Sequence, residues 1–476
     1  MKILFATPEA MPYFKTGGLG EVARALPDAL VARGHDVRLI LPLYRAVRRA
    51  GLRLRPAGSA RVPWPGGRRS VRFLKHEPPK SATAWFVEAD RFFDLEDPYG
   101  WPENDAAAPG RRFAFFCRAV LERARRWGAD VVHLNDWQTG LVPVYALLGG
   151  DRPATVFTIH NLPYQGNFPP SILADVGLPR DLLRTENGVE FYGAASFMKG
   201  GLALSDRLVT VSPTYAREVQ TAEAGAGMDG LLRFRARDLR GILNGVDTRR
   251  WDPATDPHTP AHYDAEHMEG KEACRKALRA ELGVDGDAPL VAMVTRLAPQ
   301  KGIDLVLEGL DRLLDLDIRL AILGDGDAEY HAALAERAAR HDGRLRTFFG
   351  FDEALAHRLY AGADFFLMPS AYEPCGLGQM IAQRYGTVPI VRRTGGLADT
   401  VSDRHTGFDF VKATPEALAG AVQRARKAWS GKGWPALQAR CMALDRSWDH
   451  AAGLYEEVYR SAMGKWWASN GRLGGE

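Results

Sequence analysis

The sequence predicts an α/β protein built as two doubly wound domains that face each other across a cleft. Three observations carry this. Short apolar runs of strand length recur along the chain, each followed by polar or glycine residues, with helix-like segments between several of them. The series breaks between about Trp251 and Glu272, a stretch rich in Pro, Asp and His, and resumes at Leu290. A glycine-rich turn, Lys15-Thr16-Gly17-Gly18-Leu19-Gly20-Glu21, lies between the first apolar run and a helix-like run from Val22 to Leu30. At such a strand-to-helix turn an α/β protein can offer backbone N–H groups to an anion.

The first series reads Ile3-Leu4-Phe5-Ala6, Val37 to Leu41, Val131 to Leu134, Ala154 to Ile159 and Arg207 to Val211. Ligands of open parallel sheets bind beyond the carboxyl ends of the strands. Here those ends read Asn135-Asp136, His160-Asn161 and Ser212-Pro213. The second series reads Leu290 to Val294, Arg319 to Leu323, Thr347 to Phe349, Asp364 to Met368 and Val388 to Val391. The expected division is an N-terminal domain over residues 1–245, a C-terminal domain over 246–447, and a helix and tail over 448–476. The helix, about Trp448 to Met463, is expected to pack back on the N-terminal domain, and the final residues to be loose.

Composition narrows the function classes. The chain has 476 residues, 46% hydrophobic and 25% charged, which suits a globular protein of several domains. A net charge of +4 gives no reason to expect nucleic acid or a membrane surface as the partner. Arginine clusters at Arg48-Arg49 and Arg123 to Arg126 read as solvated helix faces. The four cysteines, Cys117, Cys274, Cys375 and Cys441, form no C-x-x-C pair and no disulfide framework. Reduced thiols in a cytoplasmic protein follow. The first apolar stretch is cut short by Pro8 and Glu9, so it reads as a buried strand rather than a leader. No apolar run reaches membrane-spanning length.

The candidate chemistry lies in loops after strands. In the first half, Lys15 adds a mobile cation beside Gly17 and Gly18. The stretch lacks G-x-G-x-x-G, and no Gly-Lys-Ser/Thr follows, so neither a dinucleotide fingerprint nor a P-loop is present. Asp136 and His160 sit at strand ends, and Asn244 lies in an Asn-Gly turn near the domain boundary. In the second half, Arg296 and Lys301 are five apart after a strand, a spacing that suits a departing diphosphate. Gly324 follows another strand and permits close backbone approach. Glu373, in Glu-Pro-Cys-Gly-Leu-Gly, can accept hydrogen bonds from sugar hydroxyls. Cys375 reads as a packing residue, with Gly376 beside it. Thr394-Gly395-Gly396 repeats the pattern of a glycine-rich helix start. No H-E-x-x-H or zinc-type cysteine pair occurs, and neither a metal nor another cofactor is expected.

Taken in register, these motifs resemble the bacterial and plastid glycogen and starch synthases, retaining glycosyltransferases with two Rossmann-like domains (GT-B). The similar stretches are Lys15 to Gly20, His133 to Gly140, Phe157 to Phe168, Val211 to Glu218, Gly241 to Asp247, Arg296 to Gly302, Tyr372 to Leu377 and Arg392 to Thr400. The resemblance implies glucose transfer from ADP-glucose to the non-reducing 4-OH of an α-1,4-glucan such as glycogen, with retention. It implies that Lys15, Gly17 and Gly18 meet the donor's phosphate and sugar. Arg296 and Lys301 would neutralise the departing ADP, and Glu373, near Cys375 and Gly376, would hold sugar hydroxyls. His160 would lie against the transferred glucose, and Thr394 and Gly395 would bind phosphate. Asp136, Asn161 and Asn244 would shape the sugar and acceptor pocket. It further implies that the leaving phosphate deprotonates the incoming hydroxyl, consistent with the lack of a nucleophile–base pair. Two positions depart from the pattern. Glu21 stands where many members carry Asp, and Ile381 stands eight positions after Glu373, where related families carry a second Glu. Two alternatives remain: the same fold using UDP-glucose or making another product, and a non-catalytic glucan-binding protein.

Overall fold

Ile3, Leu4, Phe5 and Ala6 are fully buried, as a strand covered on both faces requires. In the computed structural model, which describes residues 1–100, 105–149, 152–284 and 286–470, this run lies within the strand Lys2–Ala6. The chain divides into two units. The first comprises Met1–Val211, Ala216–Gly245 and the C-terminal segment from Trp448; the second comprises Ser212–Tyr215 and Val246–Ser447.

In the first unit the described residues form a nine-stranded sheet. Its order is Leu239–Gly241, Arg207–Thr210, Ala154–Ile159, Val131–Asn135, Lys2–Ala6, Asp36–Pro42, Thr83–Glu88, Gly67–His76 and Arg55–Trp64. The first seven are parallel. The last two form an antiparallel hairpin, turning at Gly66 and Gly67, both at positive φ. The sequence reading omitted this hairpin, because Arg55–Trp64 alternates too weakly to stand out from a polar loop. The strand order reverses between Lys2–Ala6 and Val131–Asn135, and ligand crevices form at such a switch point.

Helix Gly18–Ala32 begins four residues before the expected Val22 and buries Val22, Ala23, Leu26 and Leu30 along one face. Arginine behaves in two ways. Arg48 and Arg49 pair at the surface with Glu88, Asp90 and Glu96. Arg123 departs from the expected solvated face: it is half-buried, with its guanidinium 3.8 Å from the centre of the Trp85 ring. A flat, weakly hydrated cation stacks on indole where lysine would stay in water.

The C-terminal helix, Trp448–Asn470, is longer than the expected Trp448 to Met463. It buries Tyr455 and Tyr459 against His133, which donates or accepts one bond at each ring nitrogen, to Tyr459 Oη (2.8 Å) and Thr158 Oγ1 (2.7 Å). Glu456 on the same helix takes Arg33 (2.7 Å) and His35 (3.0 Å), and their hydrogen bonds lower its pKa to about 2. The tail expected to be loose, residues 471–476, lies outside the described residues.

The second unit has six parallel strands, ordered Leu345–Phe349, Arg319–Gly324, Leu290–Val294, Phe365–Met368, Val388–Arg392 and Phe408–Phe410. In chain order this is 3-2-1-4-5-6, the doubly wound arrangement, with its switch point between Leu290–Val294 and Phe365–Met368. Val291, Met293, Leu310, Leu313, Ile322 and Leu367 belong to its core. The irregular connector ends at Met268, because helix Glu269–Leu282 starts within the stretch expected to be non-periodic. All four cysteines are buried and unbridged. Among the described residues, no helix is long and apolar enough to cross a membrane.

Candidate functional site

In the first unit the loops after Lys2–Ala6, Val131–Asn135 and Ala154–Ile159 meet around two half-buried side chains, Asp136 and His160. Asp136 has φ 54° and ψ −178°, a conformation almost reserved for glycine and costing about 1–3 kcal/mol. Its carboxylate accepts hydrogen bonds from the backbone N–H of His160 (2.8 Å) and of Asn161, which hold it there. Burial outweighs these bonds and pushes its pKa up to about 7.

His160 is held by Asn135. The Asn135 amide donates to Ala6 O (2.9 Å), so its Oδ1 faces His160 Nε2 (2.8 Å) and must accept. His160 therefore carries its proton on Nε2 and leaves Nδ1 as an acceptor. Burial lowers its pKa to about 3, so the ring is neutral near pH 7. Asn161 and Asn244 each have a buried side-chain Oδ1 without a hydrogen-bond partner. Asn244 follows the edge strand Leu239–Gly241, away from the switch point.

The glycine-rich turn is organised by a residue the motif reading passed over, Glu9. It is buried, and its Oε2 accepts from Thr16 N (2.9 Å) and Thr16 Oγ1 (2.7 Å). Its Oε1 accepts from Gly20 N (3.0 Å), and Gly17 N also bonds this carboxylate. Tyr99 Oη donates to Oε2 at 3.4 Å. The loop's N–H groups thus meet an internal anion. Burial raises the Glu9 pKa, and the bonds from Thr16, Gly20 and Gly17 oppose the rise. Beside Gly18 there is open space, whereas a side chain at Gly20 would meet Lys15 Cβ at 2.5 Å. Lys15 Nζ lies 3.1 Å from Glu21 Oε1.

In the second unit the switch point carries Lys301 and Glu373. Lys301 follows Leu290–Val294 through a short helical turn, Pro299–Lys301, and Glu373 follows Phe365–Met368. Lys301 Nζ donates to Glu373 Oε2 at 2.7 Å, and Ser370 Oγ donates to the same oxygen at 3.1 Å. The loops are tied by the backbone N–H of Ala371 donating to Gln300 O (2.8 Å) and by Gln300 Nε2 donating to Tyr372 O (3.3 Å). Arg296 Nη2 donates to Gln300 Oε1 at 3.4 Å. Arg392 Nε donates to Ser370 O at 2.7 Å.

Glycine makes this packing possible. A Cβ on Gly395, at φ 44°, would stand 1.9 Å from Glu373 O, and one on Gly396 would stand 2.2 Å from Cys375 O. The Thr394–Gly396 turn therefore presses on the backbone that carries Glu373, and Gly396 N donates to Glu373 O at 3.1 Å. Gly324 has a similar duty: its Cβ would meet Thr295 O at 1.9 Å. Gln379 Nε2 donates to the carbonyls of Cys375 (3.1 Å) and Gly376 (3.0 Å), closing the turn before helix Gly378–Arg384. Ile381 is buried in that helix.

With this geometry in hand, comparison with known proteins is decisive. A model of the starch synthase catalytic domain matches residues 2–234, and one of glycosyl transferases group 1 matches residues 275–430. The chain is 48% identical over 479 residues to a glycogen synthase of Anaeromyxobacter sp. (strain Fw109-5), covering 97% of this chain and 99% of that one. The chain belongs to the glycogen and starch synthase family. A second synthase, from Aromatoleum aromaticum, is 46% identical with 96% of each chain covered. The solved catalytic domain of starch synthase IV from Arabidopsis thaliana, bound to ADP and acarbose, superposes with a TM-score of 0.87 at 34% identity, over 97% of this chain and 99% of that one. The fold is accordingly GT-B, and the chain is a glycosyltransferase of this synthase family.

Proposed function

We propose that this synthase transfers glucose from ADP-glucose to the non-reducing 4-OH of an α-1,4-glucan, with retention, in the cytoplasm and without a metal in the reaction. The observation that carries this reading is the Lys301–Glu373 pair at the switch point of the second unit, with Arg296 held in the adjoining loop. A departing nucleoside diphosphate gains negative charge as its bond to the sugar breaks. Fixed cations at a strand-end loop stabilise that charge with little reorganisation. Glu373, held by Lys301 and Ser370, offers acceptor oxygens to sugar hydroxyls. Thr394 and Gly395 would serve the phosphates from the neighbouring turn.

In the first unit, neutral His160 presents an acceptor nitrogen rather than a positive charge, which suits a site where positive charge develops at an anomeric carbon. The carboxamide oxygens of Asn161 and Asn244 are acceptors for hydroxyl groups. Lys15 would leave Glu21 to meet the donor's phosphate beside Gly17 and Gly18. The Arabidopsis relative holds ADP, the product of ADP-glucose transfer, and this supports the choice of nucleotide. Four buried, unbridged thiols support a reducing compartment.

The test is transfer of labelled glucose to glycogen from ADP-glucose and UDP-glucose side by side. ADP-glucose is expected to give the larger kcat/KM. A larger value with UDP-glucose overturns the donor assignment. Binding of glycogen without transfer from either donor overturns the enzyme reading.

A further inference from the structure

We propose that His258, Glu353 and His357 of the second unit bind a divalent transition-metal ion, with Zn²⁺ the ion that suits their chemistry best. Glu353 and His357 are one turn apart on helix Glu353–Gly362, so they share a face. His258 reaches them from the connector before helix Glu269–Leu282. One donor atom from each of the three lies within 4.8 Å of the others. Two imidazoles and a carboxylate form a ligand set for zinc that leaves a position open to water.

His357 points most directly to a metal. It is 2% exposed, and its Nδ1 lies 2.7 Å from Asp256 Oδ2. That oxygen also accepts from Tyr385 Oη (2.6 Å), while Asp256 Oδ1 accepts from His258 N (2.9 Å). A carboxylate facing Nδ1 places the ring proton there and leaves the lone pair on Nε2. That Nε2 is buried and has no hydrogen-bond partner. A histidine that gives one nitrogen to a carboxylate and keeps the other bare is arranged as metal-binding histidines are. Trp251 stacks on the ring at 4.0 Å with planes 13° apart, fixing its orientation and keeping water away.

The remaining geometry agrees. The His258 and His357 ring centres are 4.8 Å apart, against about 5 Å for two imidazoles on one tetrahedral ion with bonds near 2.0 Å. Arg250 Nη2 holds Glu353 Oε1 at 2.6 Å, and a carboxylate has a second oxygen to offer. His258 is exposed and borders a cavity of about 260 Å³ lined also by Thr259, Cys274, Leu278 and Arg358, so an ion arriving from solvent meets it first.

The motif reading expected no metal and took H-x-x-x-H spacing to be absent, which the sequence contradicts. His258 and His262 do stand in H-x-x-x-H spacing, but the connector is not helical there, and His262 Nε2 bonds Asp256 O at 3.1 Å. Folding replaces that sequence pair with one ligand from the connector and two from a helix. A bound ion would pin connector to helix, a staple independent of the transfer chemistry.

The test uses the full-length protein, Zn²⁺ and a chelator. Wild type is expected to bind one equivalent of Zn²⁺ with a rise in Tm that the chelator reverses. His258→Ala, which changes an exposed side chain and leaves the Asp256–His357 bond intact, should weaken that binding by about tenfold or more and abolish the rise. Glu353→Gln should do the same more mildly. Co²⁺ in place of Zn²⁺ should give a visible spectrum in wild type that His258→Ala loses. Equal Zn²⁺ affinity in wild type and His258→Ala, or no Tm response in wild type, overturns the proposal.

Discussion

In the first unit the groups at the switch point are satisfied by their own chain: Glu9 by loop N–H groups, Asp136 by the His160 and Asn161 backbone, His160 by Asn135. In the second unit the switch point carries a charged side-chain pair, Lys301 and Glu373, with Arg296 one loop away. The first region fixes shape through hydrogen bonds that change little when charge develops nearby. The second presents a charged pair, and on the proposed function Lys301 would exchange Glu373 for the departing diphosphate. On the proposed function, the switch point would provide positioning in one unit and electrostatic stabilisation in the other.

The largest break in this comparison comes from removing charge in the second unit. Lys301→Ala and Glu373→Ala should each lower kcat by about 10²–10³-fold, the size expected for a fixed group facing developing charge. Both variants should keep the wild-type fold by circular dichroism, because the Ala371–Gln300, Gln300–Tyr372 and Arg392–Ser370 bonds still tie the loops. Near-wild-type turnover in either variant, assayed with glycogen and ADP-glucose, would remove the pair from the site.

The burial argument for the first unit is tested by pH. Asp136 has a folded pKa of about 7 against 3.8, so the native state holds the proton more tightly, and its contribution to stability is lost as pH rises from about 4 to 7. His160 runs the other way: a folded pKa of about 3 against 6.5 means stability is lost as pH falls below 6.5. The two slopes oppose one another in wild type between about pH 4 and 6.5. Asp136→Asn should therefore gain on wild type as pH rises through that window, and His160→Gln should gain as pH falls, each by on the order of 1–4 kcal/mol. Denaturant midpoints measured from pH 4 to 7.5 decide this. Parallel curves for wild type and Asp136→Asn would mean that Asp136 is not buried as a neutral acid.

What was legible in the sequence follows from the same contrast. Lys15, Asp136, His160, Arg296, Lys301 and Glu373 stand out because each lies in a polar or glycine-rich stretch just after an apolar run. Five strands of each sheet were legible for the same reason, since fully buried parallel strands leave continuous apolar runs, whereas Thr83–Glu88, Leu239–Gly241 and Phe408–Phe410 were not read. Glu9, Tyr99, Asn135, Gln300 and Ser370 were not, although each orients one of these groups or its loop. They act through partners brought close by the fold, as Tyr99 is to Glu9 and Asn135 to His160. The glycines divide likewise. Gly395 and Gly324 signalled a close approach, but the approaching group is another stretch of backbone.

A smaller effect is expected from the internal anion under the glycine-rich turn. Glu9→Gln keeps the shape but replaces one acceptor oxygen with a donor that faces a loop N–H. Losing one such buried bond costs about 1–3 kcal/mol. Tm should fall accordingly, and the KM for ADP-glucose should rise severalfold with a smaller change in kcat. An unchanged Tm would show that the loop holds its form without Glu9.

The smallest effect separates Lys15 from its neighbour. Lys15 and Glu21 are each about a quarter exposed, 27% and 26%, so their 3.1 Å contact lies partly in water. Such pairs contribute roughly 0.2–1 kcal/mol. Glu21→Asp shortens the acidic arm by one methylene and moves the carboxylate out of reach of the ammonium, so stability should change within that range. If Lys15 serves the donor, leaving Glu21 is part of the cost of donor binding, and loosening the pair should lower the KM for ADP-glucose by about twofold. Lys15→Gln should raise it. A rise in both variants would mean that Glu21 positions Lys15 for the donor rather than competing for it, and the longer arm at this position would then be an adaptation of the loop.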